Sequence, residues 1–314
     1  MSDEPQHMSC MEVWGGSQLS QRSVQFSGLE AWVYSKPHGQ ASKGGDVVYA
    51  SSCATGRITR LLLADVAGHG QTVAGTAADL RLLMRRFVNR LDQTELVRLL
   101  NQQFSGLSER AVFATAIVTT FFAPTRRLIV CNAGHPRPLI YRADMREWNV
   151  LGQTEEAPSA GPRNLPLGIL SVSDYDQFDI ELQEGDCIVA YTDALIEAQD
   201  ADGDELGEAG VQRILQLMGE VDAPSLIPTL LGEIADRFPE NLSADDVTVL
   251  VVRATSKPLR HSLVDQLRAL ARLIGSTIGA IRPGAERPPF PDLNAANICG
   301  PIMPALERRW RKGG

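Results

Sequence analysis

Nine short apolar runs, each closed by turn formers, recur through the sequence after Leu29 and confine it to folds built on sheets. They are Glu30–Ser35, Val47–Cys53, Ile58–Ala64, Phe113–Phe122, Leu128–Asn132, Arg137–Tyr141, Gln177–Leu182, Cys187–Tyr191 and Val247–Arg253. Each is rich in Val, Ile, Phe, Tyr or Thr, and several succeed one another as hairpins, which calls for antiparallel sheets. Helical spacing appears in four blocks between the strand groups. Val73–Arg90 puts Ala77, Leu80, Met84, Phe87 and Val88 on one face, and Gln93–Phe104, Gly210–Met218 and Pro224–Phe238 read the same way. Strands in groups with helices between the groups fit an α+β layered fold, not a strict βαβ repeat.

Residues 1–25 are polar and are expected to be a flexible N-terminal tail, with the main domain over residues 26–254. Beyond it, residues 255–314 read as a helical and Pro-rich C-terminal extension. Its segment Leu259–Ile281 aligns Leu263, Leu267, Leu270, Ile274 and Ile278 on one helical face. The chain of 314 residues is 44% hydrophobic, enough for a proper core. Lys and Arg number 30 against 38 Asp and Glu, so nucleic acid and anionic membrane are not expected partners. No apolar run is long enough to span a bilayer and no apolar leader opens the chain, so a cytoplasmic protein is expected. Five scattered cysteines without a Cys-x-x-Cys pair provide neither a disulfide framework nor a zinc knuckle.

The chemistry is carried by acids at strand ends. With Thr55-Gly56 at the centre of the turn between the second and third runs, Asp46 falls directly opposite Asp65. Directly opposed side chains stand about 5 Å apart at Cβ, where like charges are destabilising. Such a pair either holds a cation or raises one carboxyl pKa. Asp193 follows the run Cys187–Tyr191, and Asp245 and Asp246 precede Val247. Turn chemistry would explain any one of these aspartates. Together they suit an all-oxygen site for Mg²⁺ or Mn²⁺ rather than zinc.

Six blocks then resemble the bacterial SpoIIE/RsbU-type serine phosphatases, a branch of the PP2C-like metal-dependent protein phosphatases. In order they are GGD at Gly44–Asp46, ADVAGHG at Ala64–Gly70, NAGHPRPLI at Asn132–Ile140 and LPLGI at Leu165–Ile169. EGDCIVAYTDALIEA at Glu184–Ala198 and ADDVTVLVV at Ala244–Val252 complete the set. The resemblance implies a four-layer α-β-β-α sandwich, two antiparallel sheets face to face with helices outside. It also implies two ions, Mn²⁺ or Mg²⁺, held by Asp46, Asp65, Asp193 and Asp245, with Asp246 beside them and the Val66 carbonyl as an extra ligand. Asp46 and Asp65 are the residues it makes catalytic, Asp65 lying between the two ions. In such a site the metals activate water for in-line attack on a phosphoserine or phosphothreonine ester. Two departures from the family pattern are Val47, Val48 and Tyr49 after GGD, and Ala194 where Gly follows Thr-Asp. A Cβ at position 194 would crowd a positive-φ backbone.

By the same resemblance, the substrate would be a phosphorylated regulatory protein, such as an anti-sigma-factor antagonist in a partner-switching pathway. The residues before the core leave no room for a sensor domain, so a separate sensor or activator protein, or a homodimer through the 259–281 helix, would supply the input. Two rivals stand beside the protein phosphatase: a catalytically weak scaffold, and a hydrolase of small phosphorylated metabolites. His69 and His135 are read as turn or orienting residues, because neither belongs to a His/Cys ligand pair. Cys53, Cys131 and Cys187 are read as small core residues.

Overall fold

The structure is a computed structural model that describes residues 6–7, 13–52, 56–88, 90, 92–107, 112–152, 162–219 and 222–256. Its strands are β1 (Gln6–His7), β2 (Val13–Gly16), β3 (Ser20–Phe26), β4 (Leu29–Lys36), β5 (Val47–Ser52), β6 (Ile58–Val66) and β7 (Ala114–Phe122). They continue with β8 (Arg127–Ala133), β9 (Leu139–Arg142), β10 (Glu147–Val150), β11 (Gln177–Glu181), β12 (Cys187–Tyr191) and β13 (Val247–Ala254). The helices are α1 (Ala74–Phe87), α2 (Gln93–Leu107), α3 (Gly207–Met218) and α4 (Ala223–Ala235). One sheet has the order β1-β3-β4-β13-β12-β9-β10 and the other β11-β8-β7-β6-β5-β2. Every pairing is antiparallel except that of the two-residue β1 with β3.

Three buried clusters define four layers. Val48, Ala50, Leu61, Leu63, Ile188 and Leu250 belong to a core between the two sheets. Val47, Tyr49, Leu62 and Ala64 face the other way, against Leu80 and Met84 of α1 and Leu96 and Leu100 of α2. Val189, Tyr191, Val249 and Val251 likewise pack on Ile214 of α3 and Leu230 of α4. The two-residue period of a strand produces this split. A strand covered on both faces is apolar at every position, which is why β5 and β12 are buried throughout. The expected α-β-β-α sandwich is what the chain forms.

The segment expected to be a loose tail differs. β2 pairs with β5 along four residues, and β3 pairs with β4 along seven. Val24 and Phe26 enter the core between the sheets. The first half of β3 is polar because it is half-buried to exposed, so its composition masks its ladder. β10, also absent from the expected strands, has a single buried residue, Trp148. Residues 257–314, including the expected 259–281 helix, lie outside the described residues, and so does Cys53. Cys131 and Cys187 are free and buried, as small core residues should be. No helix among the described residues is long and apolar enough to cross a membrane.

Candidate metal centre

Strand parity decides where the acids go. Asp46 continues the alternation of Val48 and Ala50, Asp65 that of Leu61 and Leu63, and Asp246 that of Leu250 and Val252. All three therefore stand at the end of the inter-sheet core, where the apolar lining gives way to a polar mouth. The β5–β6 ladder pairs Val47 with Ala64, and beyond it the Val66 N–H donates to the Gly45 carbonyl at 3.4 Å. Asp46 is thus bracketed opposite Asp65, as the hairpin register requires. Across the mouth, Thr192 from the end of β12 donates its hydroxyl to Asp46 Oδ2 at 3.1 Å, joining the two sheets. The Thr192 hydroxyl also accepts the Thr248 N–H at 3.0 Å.

The electrostatics report crowding of like charge. Burial raises the Asp46 carboxyl well above its usual range, the Asp65 charge adds to that, and hydroxyls of Thr248 and Thr192 oppose it. Asp65 is pushed up to about 8, by burial first and then by Asp193, Asp245, Asp246 and Glu197. Asp193 is raised by burial and by Asp245. Among the described residues none of Asp46, Asp65, Asp193, Asp245 and Asp246 is paired with an arginine or lysine. Asp46 Oδ1 is buried without any hydrogen-bond partner. An orphaned acceptor inside an unneutralised set of carboxylates fits a hard divalent cation, which takes oxygen ligands. Among the described residues, no three His, Cys, Asp or Glu side chains converge closely enough to hold an ion as they stand. Carboxylates with no charge between them stand apart.

Asp246, expected beside the ligand Asp245, is engaged by backbone. Its Oδ1 accepts the His38 N–H at 2.5 Å, and its Oδ2 accepts the N–H groups of Gly45 at 2.6 Å and Gly70 at 3.2 Å. Both oxygens are thus engaged by backbone from three separate segments, which leaves the half-buried Asp245 the more accessible member of the pair. A Cβ on Gly44 would lie 2.6 Å from this carboxylate, so only glycine admits it. Gly45 is equally constrained, since a Cβ there would lie 2.9 Å from the Val66 carbonyl oxygen and 3.0 Å from that of Gly68. Gly45→Ala must therefore push backbone, shifting Asp46, Asp65 and the Val66 carbonyl together. We expect about a tenfold or greater fall in metal affinity, read by calorimetric Mn²⁺ titration, with the fold retained by circular dichroism.

Ala194 does not carry the strain expected from the family pattern. Asp193–Leu195 forms a 3₁₀ turn after extended Thr192, and Ala194 is absent from the positive-φ residues. Its methyl group is buried in the core beneath α3 and α4. Val47, Val48 and Tyr49 after GGD simply enter β5. Glu197 joins these acids, although no motif marks it as a ligand. Its N–H bonds the Asp193 carbonyl at 2.9 Å, one helical turn on, and its charge reaches Asp65. The i, i+4 spacing from Asp193 was the available signal.

The two Ala-Gly-His turns have separate tasks. Gly68 and Gly70 adopt φ of 102° and 66° and lead into the 3₁₀ turn Gly70–Thr72 ahead of α1. His69 between them is exposed, its ring 4.4 Å from that of His38. His135 is buried: Thr115, the partner of Asp65 on β7, lies 2.8 Å from its Nδ1, and Asn132 bonds its backbone at both ends. Burial pushes its imidazole down to about 3, against a smaller upward pull from the Tyr191 backbone. Below the unfolded value near 6.5 the unfolded chain takes a proton that the folded one refuses. Stability from this residue is therefore complete above about pH 6.5 and is lost as pH falls toward about 3. Urea unfolding of His135→Asn should show a shallower loss over that window than the wild type.

Comparison with known proteins adds family and fold. The family model described as "Stage II sporulation protein E (SpoIIE)" matches residues 55–255. The RsbU and RsbW domains of Rv1364c from Mycobacterium tuberculosis superpose with a TM-score of 0.60 at 22% identity, over 84% of this chain and 72% of that one. RsbX in complex with magnesium matches at 0.54 and 15% identity, over 75% of this chain and 100% of that one. The SiaA PP2C domain of Pseudomonas aeruginosa matches at 0.58 and 18%, over 71% and 84%. At these identities the likeness is one of fold.

Proposed function

The chain belongs to the stage II sporulation protein E family of PP2C-type serine/threonine phosphatases, and from that premise we propose that it hydrolyses phosphoserine on a bacterial signalling regulator. The observation that carries this reading is the buried, unneutralised acid set at the mouth between the sheets, with Asp65 raised to about 8 and Asp46 Oδ1 unpartnered. Asp46, Asp65, Asp193 and Asp245 would hold two ions, Mn²⁺ or Mg²⁺, with the Val66 carbonyl available beside Asp65. When bound, such ions supply Lewis acidity toward water and toward the phosphoryl oxygens. The protein's own share is placement. Thr192 orients Asp46 from the opposite sheet, and Asp246 anchors the GGD and AGHG backbones that carry the ligands. The core behind the mouth is apolar, which keeps water behind the acids out.

The substrate reading is a phosphorylated anti-sigma-factor antagonist in a partner-switching pathway. It is supported by the family and by the likeness in fold to a protein whose RsbU-type domain accompanies an RsbW domain. A separate sensor or activator protein would supply the signal, and the regulator places the reaction in the cytoplasm.

The test is phosphate release with Mn²⁺ titrated against three substrates: a phosphoserine peptide, a sugar phosphate and a nucleotide. Metal-dependent turnover of the peptide by at least about tenfold over the others is the expected result. Preference for a small phosphate would move the activity to metabolites. Metal binding without turnover of any of the three would favour the scaffold. Strain at Ala194 would favour a catalytically weak scaffold, and its 3₁₀ backbone carries none, so the enzyme is the reading we adopt.

A further inference from the structure

Thr115 stands directly opposite Asp65 in the β6–β7 ladder. Strand alternation puts Asp65 with Leu61 and Leu63, and Thr115 with Ile117, on the face turned toward the other sheet. Directly opposed residues stand about 5 Å apart at Cβ, so the hydroxyl is within reach of the carboxyl. Yet that bond is not made. Among the described residues no hydroxyl donates to Asp65, whereas Asp46 receives those of Thr192 and Thr248.

The Thr115 hydroxyl is taken instead by His135, whose Nδ1 lies 2.8 Å from it. His135 is 4% exposed and spans the two sheets, with Thr115 on β7 of one and the Tyr191 backbone on β12 of the other. The Tyr191 backbone pulls the imidazole pKa upward, as an acceptor facing a ring N–H does. That places the ring proton on Nε2, although no hydrogen bond to this atom is completed. Burial keeps the ring neutral, so Nδ1 offers only a lone pair and the hydroxyl is the donor. The backbone that carries the ring is fixed. Asn132 Nδ2 donates to the His135 carbonyl at 2.8 Å, and Asn132 Oδ1 accepts the His135 N–H at 2.7 Å. This arrangement bears on the acid. A carboxylate that ligates cations needs its oxygen lone pairs, and a donated hydroxyl would occupy one of them.

We propose that His135 is a positioning residue for Asp65: its Nδ1 holds the Thr115 hydroxyl proton and so leaves the Asp65 oxygens bare for cations. The inference rests on Asp65 holding metal, and it gives the imidazole a task that a turn-forming residue would not have.

Two measurements on the full-length chain test this. Imidazole ¹⁵N NMR of the metal-free protein, with the His135 signals assigned by their loss in His135→Asn, should show a bare Nδ1 and a protonated Nε2. A protonated Nδ1 would make the hydroxyl an acceptor, free its proton for Asp65 and overturn the proposal. Calorimetric Mn²⁺ titration then compares His135 variants whose fold is checked by circular dichroism. His135→Leu removes the acceptor and should weaken binding about tenfold, while in His135→Asn the Oδ1 can replace Nδ1 and hold the loss within about threefold. In a Thr115→Val background no hydroxyl remains to be held, and adding His135→Leu should change affinity by less than about twofold. An equal loss in both backgrounds would reduce His135 to a structural role and overturn the proposal. Where His135→Leu fails to fold, the NMR result decides. No Mn²⁺ binding by the wild type would overturn the metal reading itself, and the proposal with it.

Discussion

Asp65→Asn is expected to abolish phosphate release while making the metal-free protein more stable. The two effects share one origin. Asp65 sits at the end of β6 with its carboxyl raised to about 8 by burial and by the charges of Asp193, Asp245, Asp246 and Glu197. A carboxyl whose folded pKa lies above its unfolded value binds more protons in the folded state across that interval. The metal-free fold must then lose stability as pH rises from about 4 to about 8. Asn has nearly the same shape and no charge, so it removes this penalty. In EDTA the thermal midpoint of the variant should match the wild type near pH 4 and exceed it near pH 8. With Mn²⁺ the order reverses, because the wild type gains binding energy that the variant cannot collect. Turnover of a phosphoserine peptide should fall by more than about 100-fold, since a residue proposed to hold both ions would do more than groups that only support the ligands, whose loss costs about 10–100-fold. Turnover within tenfold of wild type would remove Asp65 from the centre of the mechanism.

Much of this centre is legible without coordinates, for a physical reason. The β5–β6 hairpin is apolar on both faces, so its register is pinned by burial, and the turn through Gly56 at φ 66° closes it. Once Val47 pairs with Ala64, the opposition of Asp46 and Asp65 follows. Edge elements are less legible. β3 shows mainly polar residues because its neighbours bury only Val24 and Phe26, and composition cannot distinguish such a strand from a tail. Ala194 misleads in the opposite sense: the family pattern suggests a glycine conformation, while the chain makes a 3₁₀ turn that any residue can adopt. Asp245 and Asp246 are the hardest case. Adjacent acids are equivalent in a sequence, and only the approach of Gly44 and Gly45 from a segment 201 residues away separates them.

That separation yields the second large effect. Asp246→Ala should destabilise the protein by about 3 kcal/mol, while Asp245→Asn should change stability by less than about 1 kcal/mol. Asp246 is 2% exposed and accepts three backbone N–H groups, from His38, Gly45 and Gly70. Each buried donor left without a partner costs about 1–3 kcal/mol, and water admitted to the emptied space recovers part of the sum. Asp246→Asn should be nearly as harmful as Ala, although it keeps the shape. Both Asp246 oxygens accept, so the amide nitrogen must face an N–H, donor against donor. Among the described residues Asp245 bonds only the N–H of its neighbour Asp246, at 2.7 Å. Its loss should appear instead as weakened Mn²⁺ binding, the charge being what it brings to the mouth. Urea unfolding and Mn²⁺ calorimetry on the three variants separate the roles. Equal stability losses for Asp245→Asn and Asp246→Asn would refute the division. If it holds, Asp246 variants should also lose about 10–100-fold in metal affinity, because the segment it anchors carries Asp46 one residue beyond Gly45.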